Sequence, residues 1–210
     1  MEEAHIVPVM ILSPVAAVAA GWFTIYLFFR KARAWLLAYV VGAVGFTLIA
    51  IYLARGSWLE EQVEAGAALA AHWLSSLVGI PTRVFFDAPG TLLVLIVYQV
   101  MGWTAVEIDI ECSGILELAA FAGLVLFFEG FEWWKRLLIL TGGLLLTFGM
   151  NVIRILIVVA TIHRGGKDAI YLAHTLIGRA VFFAMVIGLY WYVFTRLTME
   201  TIRRRISGDR

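Results

Sequence analysis

The sequence predicts an all-α polytopic membrane protein with about five transmembrane helices, an extracytoplasmic amphipathic helix and a short β-hairpin. Three observations lead to this fold class. Hydrophobic residues make up 62% of the 210 residues and charged residues only 15%. The mean hydropathy is +0.93, and soluble proteins rarely combine so little charge with so much apolar surface. Apolar stretches long enough to cross a bilayer recur along the chain.

Five stretches approach the roughly 20 apolar residues that a membrane helix needs. They are residues 6–29, 34–54, 112–128, 137–162 and 174–195. The first stretch follows an acidic start, Met1-Glu2-Glu3, whereas a secretory signal begins with positive charge. We therefore expect the first span to be retained.

Lys and Arg are distributed unequally between the two sets of connections. One set contains ten, namely Arg30, Lys31, Arg33, Lys135, Arg136, Arg196, Arg203, Arg204, Arg205 and Arg210. The other set contains four, namely Arg55, Arg83, Arg164 and Lys167. Because basic connections stay on the cytoplasmic side, we expect the N-terminus outside and the C-terminus inside a prokaryotic cell membrane.

The chain then divides into four parts. Residues 1–55 form a two-span unit, 56–111 an extracytoplasmic cap, 112–196 a three-span core and 197–210 a basic cytoplasmic tail. In the cap, residues 58–78 have the apolar spacing of an amphipathic helix on the outer leaflet, with Glu60, Glu61 and Glu64 on its polar side. Residues 105–111 alternate apolar and acidic side chains, which is strand periodicity. Residues 91–102 fit a strand or a re-entrant piece; a sixth span would conflict with the charge bias.

Three polar residues from separate segments reach one level near the outer face. Cys112 begins the third span and His174 begins the fifth. Arg154 lies in the fourth span, about 25 Å above its cytoplasmic end at about 1.5 Å per residue. Each has a structural alternative: a buried hydrophobe for Cys112, snorkelling for Arg154 and an ordinary boundary residue for His174. An intramembrane arginine nonetheless indicates a functional or pairing site by default.

These residue types suit nucleophilic acyl transfer. A thiolate attacks a carbonyl carbon, and an imidazole accepts the thiol proton and later delivers one to the leaving amine. A guanidinium stabilises the oxyanion, or lowers the pKa of the thiol. The single cysteine, Cys112, excludes an intrachain disulfide. No His-Glu-x-x-His zinc motif or glycine-rich phosphate loop occurs, so we expect no metal and no organic cofactor.

The motifs resemble those of the exosortase and archaeosortase family over about residues 69–183, as a compact, Gram-positive-type member. They are Glu111-Cys112-Ser113-Gly114-Ile115, Asn151-Val152-Ile153-Arg154-Ile155, and Ala173-His174 with Gly178 four residues on. Larger members carry additional spans before this region, which the present chain lacks. The resemblance implies a Cys/Arg/His enzyme that processes C-terminal sorting signals.

The resemblance assigns Cys112 as the nucleophile, His174 as the acid/base and Arg154 as the oxyanion or thiolate stabiliser. Five supporting residues are then expected. Asn151 would orient Arg154, and Ser113 and Gly114 would offer backbone N–H groups to an oxyanion. Arg179 would pair with Glu117 or touch substrate, and Glu111 would lie on the solvated face of a strand or else hold an amine acceptor or repel a wrong substrate. The expected partners are a client protein with a C-terminal transmembrane sorting signal, an amine acceptor and membrane lipid; nucleic acid is not among them.

Two other classes of function stay open. A non-enzymatic transporter or scaffold would use Arg154, Arg179 and Glu117 as a buried polar network. An intramembrane acyltransferase with a lipid donor would share the thioester but carry lipid on Cys112. Reactivity of Cys112 toward a membrane-impermeant thiol reagent distinguishes the enzyme from the scaffold.

Overall fold

The computed structural model describes residues 6–88, 91–99, 102–108, 110–197 and 199, and these are mostly helical. Three helices come first: α1 (Ile6–Lys31), α2 (Trp35–Ala54) and α3 (Trp58–Leu77). Three strands follow: β1 (Thr82–Ala88), β2 (Thr91–Gln99) and β3 (Gly102–Glu107). The remaining α-helices are α4 (Ile110–Ser113), α5 (Ile115–Phe127), α6 (Trp133–Gly165) and α7 (Arg179–Tyr190). Except for Leu197 and Met199, the predicted basic tail lies outside the described residues.

Three helical segments within the described part of the chain are long and apolar enough to cross a bilayer. They are Trp35–Ala54, Trp133–Gly165 and Lys167–Arg196, and they correspond to the second, fourth and fifth predicted spans. Helix α1, of 26 residues, covers the first. The third span was predicted to start at Cys112, which is wrong. Gly114 interrupts the helix with a φ of 85°, so that α5 has only 13 residues, or about 20 Å.

The last helical segment combines 3₁₀, π and α turns. A short 3₁₀ turn (Lys167–Ala169) precedes the π-helical segment Leu172–Gly178, and a second π-helical segment, Trp191–Leu197, follows α7. Such wide turns are rare and are often found at functional sites. His174, at the start of the fifth predicted span, lies inside the first of them.

Helices α2 and α5 approach each other closely because small residues lie where they cross. A Cβ atom at Gly123 would lie 2.6 Å from the carbonyl oxygen of Ala43. The hydroxyl of Thr47 donates hydrogen bonds to the carbonyls of Ala43 (2.8 Å) and Ala119 (3.3 Å), and so links the two backbones. At one end of the bundle, Arg30 Nε lies 3.8 Å from Glu129 Oε1, which brings two basic connections together.

The cap contains a three-stranded antiparallel sheet in the order β1-β2-β3, where the sequence predicted only a hairpin. Residues 91–99, left open between a strand, a re-entrant piece and a span, form the central strand. The predicted strand over residues 105–111 ends at Glu107. The chain then turns inward at Ile108, which is 2% exposed, and forms the short helix α4.

Helix α3 packs against α6 and the sheet through a face of small residues. Ala67, Ala68 and Ala71 on this face are fully buried, whereas Trp58 and Trp73 are exposed. Glu64, predicted on the polar side of the helix, is instead buried at 5% exposure. The predicted helix is therefore present, but this carboxylate faces the protein, and the position of the helix on the outer leaflet stays a prediction.

Two histidines attach the sheet to the helices. Nδ1 of His72 on α3 lies 2.7 Å from the hydroxyl of Thr82, at the start of β1. Nδ1 of His163 near the end of α6 lies 2.7 Å from the carbonyl oxygen of Tyr98 on β2. Both contacts fix the sheet above the bundle.

We predict that Gly123→Ala destabilises the α2–α5 packing by about 1–3 kcal/mol, the usual cost of adding a methylene to a packed site. The added methyl would meet a backbone oxygen, which cannot move as a side chain can. Thermal unfolding in detergent measures the change. The control is Gly142→Ala, where nothing lies within 4 Å of the added Cβ; equal melting temperatures for the two variants would contradict the packing described.

Candidate active site

Cys112 is carried by α4, a single helical turn between the sheet and α5. Its side chain is buried at 6% exposure. The turn ends at Gly114, whose φ of 85° is left-handed and favours glycine because other residues bring Cβ against the following carbonyl. A Cβ there would also lie 3.0 Å from Cγ of Asn151. Gly114 therefore both redirects the chain and admits the Asn151 side chain.

The thiol of Cys112 contacts the imidazole of His174. Sγ lies 3.1 Å from Nε2 across 62 residues of sequence. One arrangement of the pair is a thiol donating to a neutral imidazole, and the other is an imidazolium donating to a thiolate. A nucleophile within hydrogen-bond reach of its base is the arrangement that covalent catalysis requires.

Asn151 holds the backbone that carries Cys112. Its amide Nδ2 donates a hydrogen bond to the carbonyl oxygen of Cys112 at 2.8 Å. The sequence predicted Asn151 as the orienting group of Arg154, whereas the hydrogen bond that the structure shows goes to the main chain of Cys112. Asn151 is fully buried, and its Oδ1 has no hydrogen-bond partner among the described residues. The amide therefore fixes the position of Cys112 relative to α6.

Arg154 lies one turn further along α6 and is 9% exposed. Its guanidinium carbon Cζ is 5.1 Å from the centroid of the Phe182 ring, which is a cation–π distance. Gly178 lets the π-helical segment approach α6 at this level, since a Cβ there would lie 2.9 Å from Val158 Cγ2 and 3.6 Å from Arg154 Cγ. The aromatic ring and the close packing restrict where the guanidinium can point.

Arg154 and His174 line one cavity of about 710 Å³ between α5, α6 and the last helical segment. Its polar members also include Glu117, Thr175 and Arg179, and the rest of its wall is apolar. The apolar lining residues are Leu116, Val158, Leu176, Ala180, Phe182, Phe183 and Val186. Along the last helix the lining extends from His174 to Val186, about 18 Å at helical rise. The cavity is thus polar near the Cys112–His174 pair and apolar further along.

The other predicted site residues have different surroundings. The Ser113 hydroxyl donates to the Ile110 carbonyl at 3.0 Å and accepts from the Ile115 N–H at 3.4 Å, so its side chain serves the turn. Arg179 is exposed and lines the cavity. Glu111 belongs to α4, but its side chain lies outside the described residues.

Sequence reasoning gave no role to Phe182, the ring beside Arg154. A signal was present: His174, Gly178 and Phe182 recur at intervals of four residues, which puts them on one helix face. Glu117, the predicted partner of Arg179, lines the same cavity, and its Oε2 is buried without a hydrogen-bond partner among the described residues.

Comparison with known proteins adds one finding. A family model described as transmembrane exosortase matches residues 2–192 of the chain. No curated protein and no solved structure matches it.

We predict that Gly114→Ala weakens the site as well as the fold. The left-handed conformation costs a non-glycine residue about 1–2 kcal/mol, and the methyl group would press on Asn151. The rate of Cys112 alkylation should therefore change together with the melting temperature. Gly149→Ala is the control, because nothing lies within 4 Å of its added Cβ. Unchanged alkylation and stability in Gly114→Ala would contradict the role assigned to the turn.

Proposed function

Because the chain belongs to the transmembrane exosortase family, we propose that it is a membrane-embedded cysteine transpeptidase or protease for client surface proteins. It would cleave the client's C-terminal sorting signal through a thioester. The observation that carries this proposal is the 3.1 Å contact between Cys112 Sγ and His174 Nε2. Cys112 is the only cysteine in the chain, so the thioester can form nowhere else.

The proposed reaction has two acyl transfers. His174 takes the thiol proton, and the thiolate attacks the scissile carbonyl carbon to give a tetrahedral oxyanion. As the C–N bond breaks, the imidazolium gives its proton to the leaving amine, and the client stays on Cys112 as a thioester. An amine acceptor or water then attacks the thioester, and the thiol is regenerated.

Arg154 is the proposed stabiliser of the oxyanion or the thiolate. It lines the same cavity as His174, and a guanidinium is always charged and offers several donors in a fixed plane. In a cavity that is mostly apolar, a fixed positive charge interacts more strongly with a developing negative charge than it would in water.

The apolar part of the cavity supports a membrane-inserted client. Its walls from Leu176 to Val186 are mainly apolar side chains, several of them exposed. A client's transmembrane sorting helix would lie here and place its polar junction near Cys112. The scissile bond would then be just outside the hydrocarbon core.

A transporter or scaffold is the second candidate, and one observation favours it. Glu117, Arg154 and Arg179 line one cavity, as a buried polar network would. The scaffold gives no role to the contact between the Cys112 thiol and the His174 imidazole. Cys112 is therefore essential under the transpeptidase proposal and dispensable under the scaffold.

We predict that Cys112→Ala and His174→Ala each abolish client processing while the protein still inserts, since groups acting in one step are not additive. Arg154→Lys should also lose most processing, because an ammonium lacks the planar fork of donors. The measurement is the accumulation of unprocessed membrane precursors, identified by mass spectrometry, at equal enzyme levels on blots. Arg55→Lys, outside the cavity, is the control. Normal processing by well-expressed Cys112→Ala would end the transpeptidase proposal in favour of the scaffold.

We also predict that the active site faces outward, because ten of the basic residues lie in the opposite set of connections. In intact cells, a membrane-impermeant maleimide should modify a cysteine introduced at Lys167 but not one at Lys135, in a Cys112→Ala background. Labelling of position 135 alone in intact cells would reverse the assigned orientation. Labelling of both positions only after permeabilisation would place position 167 in the cytoplasm and would also contradict an outward active site.

A further inference from the structure

Strand β3 forms one edge of the sheet. It pairs with β2, and among the described residues no helix packs against it to the extent that α3 packs against β1 and α6 against β2. The opposite edge is shielded, because α3 lies along β1 and His72 contacts Thr82. The two edges of this small sheet are therefore unequal.

The hydrogen bonding of the central strand shows which groups of β3 point outward. The N–H of Tyr98 donates to the Pro81 carbonyl at 3.1 Å, so Tyr98 faces β1. Its neighbour Val97 then faces β3 and exchanges both bonds with Thr104, its register partner. Alternate residues reverse direction, so the N–H and C=O groups of Trp103, Ala105 and Glu107 point away from β2.

This edge lacks the protection that isolated edge strands usually have. Its sequence, Gly102-Trp103-Thr104-Ala105-Val106-Glu107, contains no proline and no lysine, and its only charge is at the last residue. Trp103 is 56% exposed, and Ala105 and Glu107 are also exposed. An uncovered edge of this kind is a template for an added extended segment.

The edge leads directly to the nucleophile. β3 ends at Glu107, five residues before Cys112. Cys112 packs in one buried cluster with Ile108 and with Leu95 and Val97 of the adjacent strand. A peptide lying along β3 would therefore be brought toward the thiol.

We propose that β3 binds the extended segment of the client that precedes the scissile bond, as a fourth strand of the sheet. The inference rests on the proposed transpeptidase function. Because β3 runs toward Cys112, a client whose chain ends at the scissile bond would run parallel to it. The outward backbone groups of Trp103, Ala105 and Glu107 supply affinity that depends little on client sequence. Alternate client side chains would face the exposed side of the sheet, where specificity can arise.

The test is Ala105→Pro, which removes one outward N–H and leaves the ladder to β2 intact, as an edge position allows. The control is Ala105→Ser, which keeps the N–H. The readout in host cells is the processing rate of the proteins whose precursors accumulate in Cys112→Ala cells. Ala105→Pro should slow processing by about tenfold or more, because a donor is lost and the ring obstructs the edge. Ala105→Ser, which keeps this donor, should process at least about tenfold faster than Ala105→Pro.

Folding is controlled by the membrane level of each variant and by the alkylation rate of Cys112, which should match the wild type. If Ala105→Pro fails this control, Glu107→Pro against Glu107→Ala repeats the comparison at the next outward position. Equal processing by the proline variant and its control would overturn strand addition while Cys112→Ala still blocks processing. Precursors that do not accumulate in Cys112→Ala cells would instead overturn the transpeptidase itself.

Discussion

The hydrogen bond from Asn151 Nδ2 to the Cys112 carbonyl oxygen is the interaction on which the site depends. Gly114 breaks the helix two residues after Cys112, so the carbonyls of this turn lose their usual helical partners. In an apolar environment, an unpaired carbonyl costs about 1–3 kcal/mol. Asn151 supplies the missing donor from α6, which also carries Arg154 one turn away. The hydrogen bond from Asn151 that stabilises the helix interruption therefore also sets the position of the Cys112 thiol relative to the Arg154 guanidinium.

Close packing of two helical backbones brings His174 to Cys112 and Arg154. Gly178 allows the π-helical segment to pack on α6, near Val158 and Arg154. The wider winding of this segment shifts His174 relative to a regular helix, and its Nε2 reaches the Cys112 thiol. Asn151, Gly114 and Gly178 all stand inside the motifs that resemble the exosortase family. Their roles in the structure are to position the other three residues.

The sequence was sufficient for the three long apolar helical segments Trp35–Ala54, Trp133–Gly165 and Lys167–Arg196, because hydropathy is a property of each segment alone. It also indicated Cys112, Arg154 and His174, because an ionisable residue in an apolar segment is unusual wherever it packs. The sequence did not predict the break in the helix at Gly114. Cys112-Ser113-Gly114 leads into a continuous apolar stretch, and the left-handed turn is stabilised by Asn151 on another helix, which no local pattern indicates. It also failed at Glu64, whose burial depends on the packing of α3 against the rest of the molecule.

The position of Cys112 between two unlike surfaces gives the small sheet a role in the proposed transpeptidase. The cavity below is mostly apolar and suits a helix, whose backbone groups are satisfied internally and need no partner from the enzyme. A helix cannot be cleaved easily, because its carbonyls are already hydrogen-bonded and its chain is compact. Under the proposed function, the bond presented to Cys112 belongs to an extended segment, and an extended backbone requires hydrogen-bond partners. The uncovered edge of β3 offers them beside the thiol, so cavity and sheet would hold the two halves of one client on either side of the bond to be broken.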